Sequence, residues 1–470
     1  MTLVTEPREE YTKALSWVER NEAAFCGERA IKAGQTKYLP PLPSMLCEAR
    51  VIDGVAIPYY LGYLTNEGAA LYAKYISNAY FYGATGRTVE GLVGLIFSKP
   101  AATNIQPKVK YLIDNADGRG NSLSIIARRA CVEAFISPQS GFLVARPTTP
   151  PGASELQVEK NNLRPKIIHY KFKNIINWDY ETVNNIDTLS MLVLKESTTK
   201  RDGYKVESIE QYRVLELIDG VYNQSIYDDA GQVISPVAPV TINGKTSEII
   251  PFFWVNEGVD RKPAISDLVD ANLQHYKIFA DYGSKLHHSS FIIYTETGAR
   301  PDSNMLIGNG VKWTNSDESA AFGILQPDGN ADSHRIALQD MEQRMAALGA
   351  EQLKPRLASA ESGEAKSLDQ VAQNSTTANV ANAVSATVRK AIDFVNFWMR
   401  GSGESEYKLN TDYNPTGMNP QMLTSLLAAW QGGAISYETF YDNLQRGEIA
   451  SVLKNAEDEK NDIIREISDL

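Results

Sequence analysis

Asp328-x-Asn330-x-Asp332 has the oxygen-donor spacing with which a calcium loop opens. Such a loop needs glycine at its sixth position, where the chain turns sharply, and a bidentate glutamate at its twelfth. Those positions hold Ser333 and Gln339, so a polar turn is expected, with Asp332 or Ser333 capping the next helix. His287 and His288 are the other obvious metal ligands. Adjacent residues on a helix point about 100° apart and rarely share an ion, whereas two histidines at a helix C-terminus suit its dipole. The run Gly83-Ala-Thr-Gly86-Arg87-Thr88 is glycine-rich but lacks the GxxxxGK[ST] spacing, and it follows a helical pattern instead of a strand. Asp117-Gly118-Arg119-Gly120 has neither a third glycine at the dinucleotide spacing nor a strand before it. No HExxH, GxSxG or spaced Cys/His pairing occurs. No catalytic residue, metal or cofactor is therefore expected. A soluble hydrolase using acidic residues in the β region stands as the alternative of a different class, because a sequence cannot show whether two carboxylates share a cleft.

The bulk numbers bound the reading further. A chain of 470 residues exceeds one ordinary core, and two to four substructures are expected. Hydrophobic content of 43% with 22% charged residues describes a folded protein. The net charge of -11 excludes nucleic-acid binding by bulk charge. Cys26, Cys47 and Cys131 are scattered and odd in number, which suits a reducing compartment. Residues 1–10 carry charges and no apolar core, so no signal peptide is expected. No run of about 18 apolar residues is present, and no membrane partner is expected.

The elements that would position any chemistry follow from periodicity. Residues 8–24 read as a helix with Tyr11, Leu15 and Val18 on one face. Pro40, Pro41 and Pro43 give an extended connector over 38–45. A helix is expected over about 66–82, capped by Thr65, with Ala69, Tyr72, Tyr75, Ile76 and Ala79 as its stripe. Gly83 and Gly86 punctuate its end, and 88–97 forms a short apolar segment. Another helix runs over 122–136. From Gly141 the period changes to two: 142–146, 189–195, 212–218 and 221–227 read as strands, with Asp219-Gly220 and Asn243-Gly244 as hairpin turns. After Pro263 three rods follow, at 265–288, 332–353 and 366–399. A glycine-bearing patch separates the first two, and a polar break separates the last two. In the second, Leu338, Met341, Met345 and Leu348 recur at helical spacing; in the third, Val384, Val388, Ile392, Val395 and Met399 do. The tail from 419 is again helical and ends acidic.

Several strings resemble one family. YISNAYFYGATGRTVEGLVGLIFSKP from Tyr75 to Pro100 is similar to a signature of the portal proteins of tailed bacteriophages, in the group long catalogued as an uncharacterised phage family. The resemblance continues in LIDNADGRGNSL from Leu112, ISDLVDANLQHY from Ile265, Ala280-Asp-Tyr282 and MEQRMAALG from Met341. It ends in LNTDY from Leu409 and GGAISYE from Gly432. After Gln352 the family carries a Thr-Ala-Glu string where this chain reads Ala360-Glu-Ser-Gly-Glu-Ala-Lys366.

The resemblance implies an α+β fold of portal-protein architecture, with a mixed α/β wing, long stem helices, a small α/β clip, a tunnel loop and a helical crown-like C-terminus. The implied parts are wing 1–262 (antiparallel β region about 139–256), first stem helix 263–288, clip 289–331 and second stem helix 332–353. Tunnel loop 354–366, long wing/channel helix 367–400 and C-terminal region 401–470 complete them. It implies a homo-oligomeric ring, usually of twelve, at one capsid vertex. Double-stranded DNA would pass through it without sequence specificity during packaging and ejection. The implied partners are the terminase large subunit, head-tail adaptor or neck proteins, and major capsid and scaffolding proteins. The implied location is the virion, with host cytoplasm during assembly. Lys354, Arg356, Glu361, Glu364 and Lys366 are the candidate residues of the DNA channel. Twelve copies carry about -130 charges, and an acidic wall repels phosphate, which lets DNA slide. Another phage neck or minor capsid protein is the alternative within the same setting.

Overall fold

The computed structural model describes residues 4–52, 55–145, 164–242, 245–256, 258–289, 293–297, 321–325, 331–350, 363–411, 413, 420–447, 449–450 and 454–468. Within 49–59, 293–297 and 363–374, and at a few scattered positions, the side chains lie outside that description. The fold is α+β, with two compact units at 1–409 and 410–470.

In the first unit, helices α1 (Glu9–Cys26) and α2 (Glu28–Ala33) precede a hairpin of β1 (Cys47–Ile52) and β2 (Val55–Tyr60). Tyr11, Ala14 and Val18 recur at helical spacing and are buried, which turns α1 into an amphipathic cover. The expected extended connector over 38–45 ends in a 3-10 turn at Pro43–Leu46, because proline is well placed at a first helical position. The β1–β2 hairpin after it was not foreseen. Helix α3 (Asn66–Asn78) has the expected cap, the Gly68 amide donating to Thr65 Oγ1 at 2.8 Å. Its buried stripe is Gly68, Tyr72 and Tyr75, with Ala79 just beyond, while Ala69 is exposed.

Helix α3 stops four residues before the expected 82, and α4 (Ala84–Ile96) begins where a glycine break was expected. Gly86 lies inside α4, where a Cβ would stand 2.9 Å from the Phe25 carbonyl oxygen. Its service there is close packing of two helices. Strand β3 (Ala102–Asn104) and helix α5 (Leu123–Ile136) follow, the latter capped by Ser122.

The β region is larger than periodicity indicated. Strands β4 (Gly141–Ala145), β5 (Lys166–Tyr170), β6 (Ile175–Val183), β7 (Ile186–Asp202), β8 (Lys205–Ile218), β9 (Val221–Asp228) and β10 (Val233–Pro239) precede a short pair, β11 (Thr241–Ile242) and β12 (Lys245–Thr246), and then β13 (Phe252–Trp254). An antiparallel five-stranded sheet has the order β10-β9-β8-β7-β6, and a three-stranded one the order β13-β4-β5. The Asp219-Gly220 turn joins β8 to β9 with φ of 53° and 74°, the geometry a type I′ turn demands. Around Asn243-Gly244, which lies outside the described residues and was expected to join 240–242 to 249–250, Thr241 pairs instead with Thr246. Strands β5, β6 and β10 were missed. Pro236 and Pro239 mask β10, as suits a sheet edge.

Trp178, Leu192, Leu194, Leu215 and Tyr222 from the large sheet meet Tyr11, Val18 and Phe172 in one core. The Tyr11 and Phe172 rings stack at 5.1 Å. Full burial of such side chains contributes about 1.5–3 kcal/mol each. The Arg8 amide donates to the Ile176 carbonyl at 2.9 Å and its guanidinium to the Trp178 carbonyl, so α1 also closes the open edge of β6. Past the ends of β6 and β9, Ser197–Asp202 and Lys205–Glu210 continue as a two-stranded arm.

After Pro263 come α6 (Ser266–Ser289), a hairpin of β14 (Ile293–Thr297) and β15 (Ala321–Leu325), α7 (Asp332–Met345) and α8 (Gly363–Trp398). The first rod ends within a residue of expectation. The second is shorter: α7 passes into a wide turn, Ala346–Ala350, in which Gly349 has φ 121°, closed to other residues. Leu348 is consequently exposed, not part of the stripe. The third rod begins at Gly363, so 363–366 is helix instead of loop. Val384, Val388, Ile392 and Val395 are buried in the first unit's interior. Ala331 occupies the position before α7 with no side-chain cap, and Asp332 pairs with Arg335 at 3.3 Å. The expected Asp332 or Ser333 cap does not form. Strand β16 (Glu406–Lys408) pairs with β3. The second unit contains α9 (Pro420–Gln431), α10 (Tyr437–Arg446) and α11 (Ala456–Ser468).

Candidate functional site

The strings from Tyr75 and from Ile265 lie about 190 residues apart and meet in the fold. Tyr75 on α3 donates to Asp281 Oδ1 on α6 at 2.6 Å. Burial and that hydrogen bond both push the Tyr75 phenol well above its usual value. Phe81 packs on Tyr276 at 5.9 Å between ring centroids, and Tyr80 on Phe279 at 5.6 Å. Asn272, fully buried on α6, donates to the Tyr82 carbonyl at 2.7 Å and accepts from Thr85 Oγ1 at 2.9 Å and the Thr85 amide at 3.2 Å. It thereby satisfies backbone groups at the start of α4 that the helix cannot satisfy itself.

One turn further, His275 faces α7. Its Nε2 stands 3.6 Å from Glu342 Oε1, its ring lies 5.4 Å from that of Tyr82, and its side chain is 3% exposed. Burial pushes this imidazole below the usual range, against the opposing pull of Glu342. Tyr282 and His334 meet seven and eight residues away, so α6 and α7 run antiparallel. The arrangement is a packed polar joint that fixes a long helix to the body of the unit. Asn272 and His275 sat within an otherwise apolar stripe, the one signal by which the sequence could have shown them.

Lys354, Arg356 and Glu361 lie outside the described residues. Glu364 and Lys366 stand in the first turn of α8, with backbone alone described. His287 lies in the last turn of α6, as expected. Asp117-Gly118-Arg119-Gly120 is a loop before α5, as expected, and Asp328-x-Asn330 lies outside the described residues.

In the β region Glu196 stands largely buried beside Arg213. Glu196 accepts from Arg213 Nε at 2.7 Å and Nη2 at 3.0 Å, from Tyr170 at 2.5 Å and from Gln211 at 2.8 Å. Burial alone would raise its carboxyl, yet these donors hold it below the usual range. Both oxygens are engaged, as in a structural ion pair. Cys26, Cys47 and Cys131 are free thiols, and burial pushes Cys131 up to about 12. Among the described residues no three His, Cys, Asp or Glu gather as metal ligands, and no helix is long and apolar enough to cross a membrane.

A family model described as "Domain of unknown function (DUF4055)" matches residues 264–399, which is under a third of the chain and contains α6, α7 and α8. No curated protein matches. A solved structure described as "Neck of empty GTA particle computed with C6 symmetry" is similar at 10% identity, over 78% of this chain and 90% of that one, with a TM-score of 0.38. A TM-score this low does not establish a common fold.

Proposed function

We propose that this chain is a phage head-to-tail structural protein, and specifically a portal protein. It would form a ring at one capsid vertex, conduct double-stranded DNA, and dock the terminase motor and later the neck proteins, with no catalysis of its own. The observation that carries this reading is the succession of α6, the β14–β15 hairpin, the antiparallel α7, the turn at Gly349 and the 36-residue α8. On this reading α6, the hairpin and α7 would be stem, clip and stem, with the channel loop expected at 354–366 and α8 as the channel helix. At 1.5 Å per residue α6 is about 36 Å long and α8 about 54 Å, lengths that suit the wall of a conduit. The aromatic and polar joint around Asn272 supports it, since a stem helix must be fixed to its wing. The family-model match falls on this same succession.

Negative-stain images test the proposal. The expected result is end-on rings with a central hole, either from purified protein or from vertices released from particles. Uniform monomers with hydrolytic activity, together with particle vertices lacking this chain, would overturn it.

A further inference from the structure

Loop 115–121 lacks the free backbone of a phosphate cradle. Asp117 accepts from the Arg119 amide at 2.9 Å, the Asn121 amide at 3.3 Å and the Asn121 side chain at 2.6 Å, and Asn115 Oδ1 accepts from the Gly120 amide at 2.9 Å. The fold gathers side-chain cations around the loop instead. The Ile167 amide donates to the Ala116 carbonyl at 2.8 Å, which brings β5 beside it. Lys166 runs its stem past Gly118, where a Cβ would stand 3.3 Å from Lys166 Cδ. Arg129 on α5 donates to Asn121 Oδ1 at 3.3 Å. Burial, then Lys171 and Arg129, push His169 on β5 down to about 3, so the Arg129 charge is felt on that strand as well. Arg164 lies over the Tyr111 ring at 5.1 Å, and the Tyr111 hydroxyl holds the Pro165 carbonyl at 2.6 Å. Arg119 is exposed on the loop itself.

Among the described residues of these elements, carboxylates do little to neutralise this cluster. On the same elements Asp117 is turned onto the loop's own amides, and Glu133 is buried with the Phe172 amide donating to it at 3.1 Å. Asp114 is exposed.

We propose that Arg119, Arg129, Arg164 and Lys166 form a binding surface for the phosphate backbone of duplex nucleic acid. Arginine forks match phosphate oxygens in pairs, and backbone contacts need no apolar centre. An acidic protein partner fits less well, because protein interfaces are anchored on buried aromatic or aliphatic side chains. The large exposed apolar side chain on α5 is Ile125, at 43%. The net charge of -11 does not oppose local contact, since fields are screened beyond about 8 Å at physiological salt. The inference is independent of ring formation.

Anisotropy titration of the full chain with a labelled duplex of arbitrary sequence tests it. Four phosphate contacts give a slope of log affinity against log salt of about -3.6. Arg119→Glu with Lys166→Glu should weaken binding at least tenfold at about 50 mM salt and flatten the slope by about 2. Lys200→Glu with Arg201→Glu in the exposed arm alters net charge equally and should leave nearly all binding in place. Should the reversal pair melt early by circular dichroism, the triple Arg119→Gln, Arg129→Gln, Lys166→Gln variant replaces it, with the same expected direction. No duplex binding by the wild type, or equal loss from the arm pair, would overturn the proposal. So would poly-glutamate that binds as tightly as duplex and loses as much in the variant, which would mark an acidic-protein dock. Because the titration reads the chain whether or not it assembles, its failure is separable from failure of the portal reading.

Discussion

Asn272 and Thr85 are 187 residues apart, yet the Asn272 carboxamide oxygen accepts both the hydroxyl and the backbone amide of Thr85. One side chain of α6 thus serves as the N-terminal cap of α4, and its amide nitrogen closes the preceding turn through the Tyr82 carbonyl. Asn272→Ala strands three buried polar groups and should cost about 2–4 kcal/mol, whereas Thr85→Val, which removes one hydroxyl, should cost about 1 kcal/mol. The double variant should fall short of the sum, because the two residues share one network. Urea unfolding of the unassembled chain measures all three; strict additivity would show that the residues act separately.

His275 makes the joint of α6 and α7 sensitive to acid. Its folded pKa is depressed, so the unfolded chain binds more protons once the pH drops below about 6.5. The stability it contributes is present in full above that value and is lost as the pH falls towards the folded value. His169 acts in the same direction, with a folded value of about 3. His275→Gln should therefore flatten the fall in unfolding midpoint between about pH 6.5 and 5 only in part, and His275→Gln with His169→Gln more fully. A curve for the single variant parallel to the wild type would assign the sensitivity elsewhere.

The helices after Pro263 were legible because their apolar residues keep a 3.6-residue period over many turns, and Val384 to Val395 are buried as that period requires. Thr65 was legible as a cap because an N-cap is a local device. Strand β6 was not, because Asp179–Val183 are exposed and only Ile175, Ile176 and Trp178 reach the core. Asn272 was not recognised as a cap because its partners lie in a different helix. The α7 boundary failed at Gly349, where MAALG continues a helical pattern that one positive φ ends. The cations around loop 115–121 come from α5, the loop, β5 and the residues just before it, so no short window of sequence holds them together.

Glu196 and Arg213 pair across β7 and β8 with side chains 14% and 20% exposed. The Glu196 folded pKa is lowered, so its contribution is present above the unfolded value of about 4.3 and is lost as the pH falls through the folded value. Arg213→Met leaves a buried carboxylate without its partner and should cost about 3–5 kcal/mol near neutral pH. Adding Glu196→Leu should recover most of that loss, since an apolar pair replaces an ion pair at little net cost. The comparison is read from denaturation midpoints of the single and double variants. A double variant no better than the single would show that Tyr170 and Gln211 need the carboxylate as an acceptor.

α8 begins at Gly363, three residues before the expected start of the third long helix. A deletion reaching residue 365 would cut into helix, so shortening only 355–362 is the cleaner test of a channel loop. The wide turn at Gly349 and the start of α8 then stay in place, and the packing of α8 into the first unit's interior through buried Val384, Val388 and Ile392 is untouched. On the portal reading, the shortened chain should form rings in normal yield by negative stain. Particles carrying it should package or retain less DNA, measured as full-to-empty particle ratio. Loss of rings with normal DNA content in rescued particles would remove the loop from the channel and make it part of the subunit interface.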